Sequence, residues 1–518
     1  YMTFEIVFVL LSLLGMMAAL IADKMRPGMV LFSVVVLFLC AGILTPKEML
    51  EGFSNKGMIT VALLFLVSEG IRQSGTLGQV IKKLLPQGKT TVFKAQLRIL
   101  PSVAFISAFL NNTPVVVIFA PIIKHWAKSV KLPATKFLIP LSYVTILGGI
   151  CTLIGTSTNL VVHGMILEAG YEGFTMFELG KVGIFIAIAG IIYLFIFSKR
   201  LLPDARPDTA VPDEEVEEGE KLHRVEAVLG ARFPGINKKL SDFNFQRHYG
   251  AEVKEIKTRN GQRYVDHLED VVLREGDTLV VMADDTFIPT WGESSVFVLL
   301  TNGNDPDTSG KKKRWLALIL LVLMIVGATV GELPATKEMF PDIKLDMFFF
   351  VCITTIIMAW TNIFPARKYT KYISWDILIT IACAFAISKA MVNSGVADCV
   401  AGFIIGLSDD YGPHVLLAIL FVITNLFTEL ITNNAAAALA FPLALSISAQ
   451  LGVSPTPFFV VICMAASASF STPIGYQTNL IVQGIGNYKF TDFVRIGLPL
   501  NIITFLISVI LIPLIWNF

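Results

Sequence analysis

Charge is scarce in this sequence. Only 16% of its residues are Asp, Glu, Lys or Arg, 54% are hydrophobic, and the mean hydropathy is +0.69. So little polar surface cannot wrap a soluble domain of 518 residues, which leaves a polytopic membrane protein. A surplus of either sign is also missing: 41 Lys and Arg face 40 Asp and Glu, for a net charge of +1. A nucleic-acid partner would require a concentrated basic face. The six cysteines, Cys40, Cys151, Cys352, Cys383, Cys399 and Cys463, lie in or beside apolar segments without metal-ligand spacing, and read as small core residues. The six histidines are scattered, with no pair at a helical ligand spacing. Gly303 to Lys311 is not a phosphate loop, because six residues separate its glycines and no Ser or Thr follows the lysine. With no nucleophile–base pair either, an enzyme is not expected.

What the chain has is long apolar runs. Stretches able to span at about 20 residues each fall at 4–22, 28–45, 57–75, 137–164, 179–198, 313–331, 346–364, 373–395, 456–484 and 491–516. The first of these continues to Ile21 without a basic leader, so it reads as a span and not as a cleavable signal.

The strongest signal is a duplication. Ser107-Ala108-Phe109-Leu110-Asn111-Asn112-Thr113-Pro114 recurs as Thr428-Glu429-Leu430-Ile431-Thr432-Asn433-Asn434-Ala435, with a proline nine residues after each central Asn, at Pro121 and Pro442. A second pair is Gly155-Thr156-Ser157-Thr158-Asn159-Leu160 with Gly475-Tyr476-Gln477-Thr478-Asn479-Leu480, and Ser74-Gly75 matches Ser394-Gly395. In lipid, broken backbone is tolerated only where it is buried in protein or lines a wet cavity, and matched interruptions in two halves point to a transporter's binding site. We therefore expect an α-helical polytopic protein of two inverted repeats. Each has five spans and one re-entrant hairpin, at 90–123 within 1–200 and at 412–450 within 313–518.

Basic residues set the expected orientation. Lys82, Lys83, Lys89 and Lys94 precede the first hairpin and Lys124, Lys128, Lys131 and Lys136 follow it, whereas 396–414 contains neither Lys nor Arg. Positive charge collects on the cytoplasmic side. The first hairpin then opens inward, the second outward, and both termini lie outside. The setting is a cell inner membrane crossed many times.

Between the repeats, 201–312 is polar and expected to be cytosolic. VPDEEVEEGE at 211–220 places six acids in ten positions and reads as a solvated linker. Within 221–287 the pattern becomes that of a small α+β domain. Val225–Leu229 and Gly250–Ile256 alternate, Asn260-Gly261 reads as a hairpin turn, and Thr278–Met282 as an apolar strand.

Sodium is a hard cation that takes oxygen ligands, which Asn amides, hydroxyls and unwound carbonyls supply. No basic residue lies at either motif, so an anion would be held by helix N-termini, sodium and neutral donors. Thr113, Asn434, Thr158 and Thr478 are the donors expected to face it, beside Asn111, Asn112 and Asn433. Glu69, Lys389 and Glu429 are ionisable residues in apolar segments; bracing of its own hairpin is the expectation for Glu429, with a proton relay as the alternative.

The paired Asn motifs, the matching Thr-Asn-Leu segments and the hairpin arrangement resemble the divalent-anion:sodium symporter (DASS) family over essentially all of 4–200 and 313–516. His223–Ala283 resembles the C-terminal ligand-sensing domain of RCK-type potassium-channel regulators. The family's hairpin tip reads Ser-Asn-Thr; here the tips read Asn111-Asn112-Thr113 and Thr432-Asn433-Asn434, each keeping the central Asn. The resemblance implies one sodium site at Ser107, Asn111, Asn112 and Gly155, and another at Thr428, Thr432, Asn433 and Gly475. It also implies a homodimer whose hairpin-bearing domain slides against a fixed scaffold, and a nucleotide or other small solute as the inserted domain's ligand. The altered tips set the expected substrate, sulfate or a related oxyanion, apart from dicarboxylates. Dicarboxylate symport, efflux of an arsenite-like oxyanion and an anion channel or uniporter are the alternatives.

Overall fold

The computed structural model describes residues 3–204, 206, 211–217, 219–292, 294–302, 314–408 and 411–518. The segment Thr308-Ser309-Gly310-Lys311, expected to join the inserted domain to the second repeat, lies outside them. So does the Gly303 to Lys311 stretch set aside above.

Apolar composition makes helices, and glycine and small polar residues end them. Among the described residues seven helices are long and apolar enough to cross a membrane and six shorter ones are apolar. The first half runs Phe4–Ala22, Pro27–Cys40 and Lys56–Ser74, then a hairpin of Val92–Ser107 and Asn112–Ser129. A broken span of Leu138–Gly149 and Ser157–Glu168 follows, and Gly180–Leu201 closes the half. The second half repeats this order as Arg314–Gly331, Met347–Trp360 and Trp375–Ser394, the hairpin of Pro413–Leu430 and Asn433–Leu451, the broken span of Thr456–Ser467 and Gln477–Gly486, and Phe490–Ile515.

Two expected spans, 137–164 and 456–484, are thus each two half-helices around an irregular segment. Two further helices, Thr76–Leu84 and Val396–Leu407, were not anticipated. Each follows a left-handed glycine, Gly75 at φ 78° and Gly395 at φ 83°, that ends one helix and starts the next. Only glycine takes that conformation without a Cβ penalty.

Contacts fix the opposite orientation of the halves. The loop after the first helix meets the inserted domain through Arg259–Asp23 at 2.5 Å and Asn237 Nδ2 donating to Lys24 O at 2.7 Å. The returning arm of the first hairpin meets it through Lys124–Glu226 at 3.5 Å. The second hairpin begins beside the last residue, His414 stacking edge-on to Phe518 with centroids 5.2 Å apart. Trp516 in turn donates to Glu178 at 3.2 Å, at the end of Gly180–Leu201 remote from the inserted domain. The two hairpins therefore open on opposite faces.

The inserted domain is an antiparallel sheet in the order β1-β2-β5-β3-β4, with β6 also on β2. Its strands are β1 (Glu214–Glu217), β2 (Glu220–Leu229), β3 (Glu252–Lys257), β4 (Arg263–Tyr264), β5 (Thr278–Ala283) and β6 (Phe297–Thr301). One face carries an aromatic core of Phe233, Phe243, Phe245, Tyr249, Phe287 and Phe297. The other sits on the second broken span, where Gly276 leaves no room for a Cβ against Leu480, nor Gly484 against Thr278.

Candidate functional site

The two Asn motifs build the same corner twice. Ser107, in the last turn of the first hairpin's entering arm, is fully buried, its hydroxyl 2.8 Å from Thr145 O and 2.9 Å from Asn112 Oδ1. Thr428 occupies the equivalent turn, its hydroxyl 2.6 Å from both Ala466 O and Asn433 Oδ1. Turned the other way, the Asn112 amide donates to Ser107 Oγ at 2.9 Å and to Thr145 O and Gly155 O at 3.2 Å. Asn433 likewise reaches Thr428 Oγ1 at 2.6 Å and Ala466 O and Gly475 O at 3.2 Å. Each corner therefore gathers an amide, a hydroxyl and two main-chain carbonyls from three elements. With the amide oxygen facing in, all are hard neutral oxygens, the donor set a monovalent cation takes. Among the described residues no group of three His, Cys, Asp or Glu could hold a metal ion.

The corners unite Ser107, Asn112 and Gly155, and Thr428, Asn433 and Gly475. They do not include the outer tip residues. Asn111 precedes the returning arm without a side-chain capping bond and lines a small cavity of about 20 Å³ with Phe109, Leu110 and Ser157. Thr432 caps the other returning arm, accepting from Ala435 N at 3.3 Å. The carbonyls of Thr145 and Ala466, which complete the corners, carry no signal in a side-chain pattern.

The residues expected to face an anion are placed by the crossing of the halves. Each hairpin tip meets the broken span of the other repeat. Ser157 and Thr158 approach Asn434 Oδ1 at 3.3 and 3.5 Å, and Thr113 Oγ1 lies 3.5 Å from Gln477 Oε1. Four helices, starting at Asn112, Ser157, Asn433 and Gln477, thus bring their N-termini together, each with the partial positive charge that favours an anion. Thr478 does not join them. Its hydroxyl is buried against Ser142 Oγ at 3.0 Å, the same hydroxyl that donates to Asn479 Oδ1 at 2.6 Å. Ser157 and Gln477, the first residues of the two half-helices, are half-buried and reach the opposite tips, whereas Thr158 and Thr478 beside them are buried.

A cleft of about 820 Å³ reaches the first tip at Thr113 and Pro114, passes Arg72 and Lys371, and is walled by β6 residues Val298–Thr301. On the opposite face a cleft of about 540 Å³ is lined by Lys56, His163 and Asp346, and among the described residues lining it is neither tip. Access to the tips thus runs beside the inserted domain.

The inserted domain is fastened by buried charge. Lys257 donates to Gly484 O at 3.2 Å, Lys124 donates to Ile485 O at 2.8 Å, and Glu226 lies 3.6 and 3.5 Å from these two ammonium groups. Burial pulls Lys257 down from the usual lysine value, and the Glu226 carboxylate partly opposes it. The two carbonyls end the helix Gln477–Gly486, where cations suit the helix dipole.

An inverted repeat whose two re-entrant hairpins and two broken spans bring their ends together defines a membrane transporter. The chain belongs to the citrate transporter (CitMHS) family, whose profile matches residues 17–447 and 339–518. It is 29% identical to an uncharacterized transporter of Synechocystis over 569 residues, 93% of each chain. To sodium/sulfate cotransporter 2 of Chlamydomonas reinhardtii it is 30% identical over 281 residues, 54% of this chain and 31% of that one. The YdaH transporter of Alcanivorax borkumensis shares the fold, with a TM-score of 0.53 at 12% identity, over 90% of this chain and 87% of that one. The protein is a transporter and not an enzyme.

Proposed function

We propose that this chain is a sodium-coupled symporter of a divalent oxyanion, sulfate or a close analogue, working by alternating access. The observation that carries the reading is the pair of corners, Ser107–Asn112–Thr145–Gly155 and Thr428–Asn433–Ala466–Gly475, in which an amide, a hydroxyl and two main-chain carbonyls converge without a carboxylate. Sodium fits such a set. Two bound sodium ions, with four helix N-termini, would offset the charge of an anion held between Thr113, Ser157, Asn434 and Gln477.

In this reading the inserted domain is cytoplasmic, as the lysines around the first hairpin ask, and the cleft at Thr113 makes this an inward-open state. Both hairpins and both broken spans move together against the remaining helices, in a homodimer held by those helices. A small cytosolic ligand of the inserted domain would bias one state.

The test is uptake of labelled sulfate, succinate and citrate into proteoliposomes, with and without a sodium gradient. Sulfate uptake that rises with inward sodium supports the proposal. Uptake indifferent to any ion gradient would make the protein a uniporter or channel, and citrate or succinate accumulated in place of sulfate would replace the substrate.

A further inference from the structure

The two corners are copies in their oxygens but not in what stands behind them. The repeat sets Glu429 opposite Ala108, Ser469 opposite Gly149 and Ser471 opposite Cys151, and, with Gly183 matching Gly497, Asn501 opposite Ala187. In the second half the Glu429 carboxylate accepts from Thr472 Oγ1 at 2.7 Å, Asn501 Nδ2 at 2.9 Å and Ser469 Oγ at 3.3 Å. Each of these partners is a neutral donor, and none of them brings a countercharge. In the first half Thr152, the counterpart of Thr472, turns its hydroxyl to the Ala108 carbonyl, and Ala187, in the place of Asn501, has no side-chain donor. Ser469 is the link. Its hydroxyl packs so closely on Gly475 that a Cβ there would collide with it, and Gly475 O is one of the second corner's oxygens. A carboxyl group therefore stands one hydroxyl away from the second corner, and its counterpart at the first is an alanine.

We propose that Glu429 makes the two cation sites unequal, so that the second corner binds its sodium more tightly and fills first. The inference rests on the sodium-coupled reading above. Glu429 is not a ligand; it is a positioning residue that orients Ser469 and lends its charge to the site. In surroundings of low polarity one unit charge at a separation of several ångströms is worth roughly a 10- to 100-fold difference in cation affinity.

The experiment uses the full chain in proteoliposomes. Half-saturating sodium is measured for wild type, Glu429→Gln, Glu429→Asp and Ser469→Ala, alongside sodium-dependent thermal shifts of the purified proteins without anion. Glu429→Gln should raise half-saturating sodium roughly 10- to 100-fold while leaving anion half-saturation at saturating sodium in place, and Glu429→Asp should recover most of the loss. A side chain that only braced the loop would lower the maximal rate at unchanged half-saturating sodium, and that result overturns the proposal. If Glu429→Gln cannot be purified folded, Ser469→Ala decides: it keeps the charge, removes the link, and should still raise half-saturating sodium. No change in it counts against the proposal. Wild-type uptake indifferent to sodium would instead sink the symporter reading itself, which is a different outcome from sodium dependence that Glu429→Gln leaves intact.

Discussion

Lys257 Nζ of the inserted domain donates to the carbonyl of Gly484, 227 residues away, at 3.2 Å. That one bond ties the inserted sheet to the last turn of a broken membrane helix. Lys257→Met should leave Glu226 facing Lys124 alone and weaken the seam by about 1–3 kcal/mol, the cost of stranding a buried polar partner. Faster hydrogen exchange at β3 and β5 in the intact protein is the expected readout. Exchange rates equal to wild type would mean that the seam is held elsewhere.

The corners make a sharper prediction. Asn112→Ala and Asn433→Ala each delete the amide around which a hydroxyl and two carbonyls converge. Loss of one charge-assisted contact, about 1.5–3 kcal/mol, corresponds to roughly 10- to 150-fold weaker cation binding. Transport rate against sodium concentration measures it. If neither variant changes the sodium curve, these asparagines do not hold the cation.

Geometry also separates two adjacent threonines. Thr113 faces Gln477 across the central gap, whereas the Thr478 hydroxyl is spent on Ser142. Thr113→Val should raise the half-saturating anion concentration roughly 2- to 12-fold, the worth of one neutral hydrogen bond. Thr478→Val should act on stability, seen in a lower thermal midpoint, with anion affinity retained. The opposite pattern would place Thr478 in the anion site.

Acidity should act on the inserted domain in an unusual direction. Burial pushes the Asp277 carboxyl from its ordinary 3.8 up to about 7, although the amides of Arg259 and Arg274 donate to it at 3.0 and 2.9 Å. The folded domain then holds this proton more tightly than the unfolded chain does. Its contribution to stability is complete below about pH 4 and is lost as pH rises towards 7. Thermal unfolding followed at β5 between pH 5 and pH 8 should show that decline, and Asp277→Asn should flatten it. A parallel decline in Asp277→Asn would assign the effect to another group.

Close packing gives a fifth test. A Cβ at Gly148 would run into the Ala104 carbonyl, where the first half-helix crosses the entering arm of the hairpin. Gly148→Ala should cost about 1–3 kcal/mol through forced displacement of backbone, read as a lower thermal midpoint.

Much of this architecture is legible because the chain states it twice. A single Asn-Asn-Thr is an ordinary turn, but its recurrence near Thr432-Asn433-Asn434, with matching Gly155 and Gly475, marks both corners. Side-chain identity carries Ser107, Asn112, Thr428 and Asn433. It cannot carry the carbonyls of Thr145 and Ala466, which every residue type possesses. Nor does it distinguish Ser157 from Thr158, because neighbours on a helix differ by about 100° of rotation and packing decides which one faces the gap. The partners of Glu429 were hidden for another reason: Asn501 lies 72 positions along the chain and touches it only after three elements pack together.

The crossing of the repeats bears on how the protein is made. Thr113 waits for Gln477, 364 residues further along, and Ser157 waits for Asn434, 277 residues further along. During synthesis the first hairpin enters the membrane with its polar tip complete and its counterpart not yet translated. The first half must therefore survive in the bilayer as an unfinished vessel, and the binding site comes into being only when the last tenth of the chain arrives. A truncated first repeat is on this view not half a transporter but an insertion intermediate with an exposed polar tip, the kind of species that membrane quality control has reason to recognise.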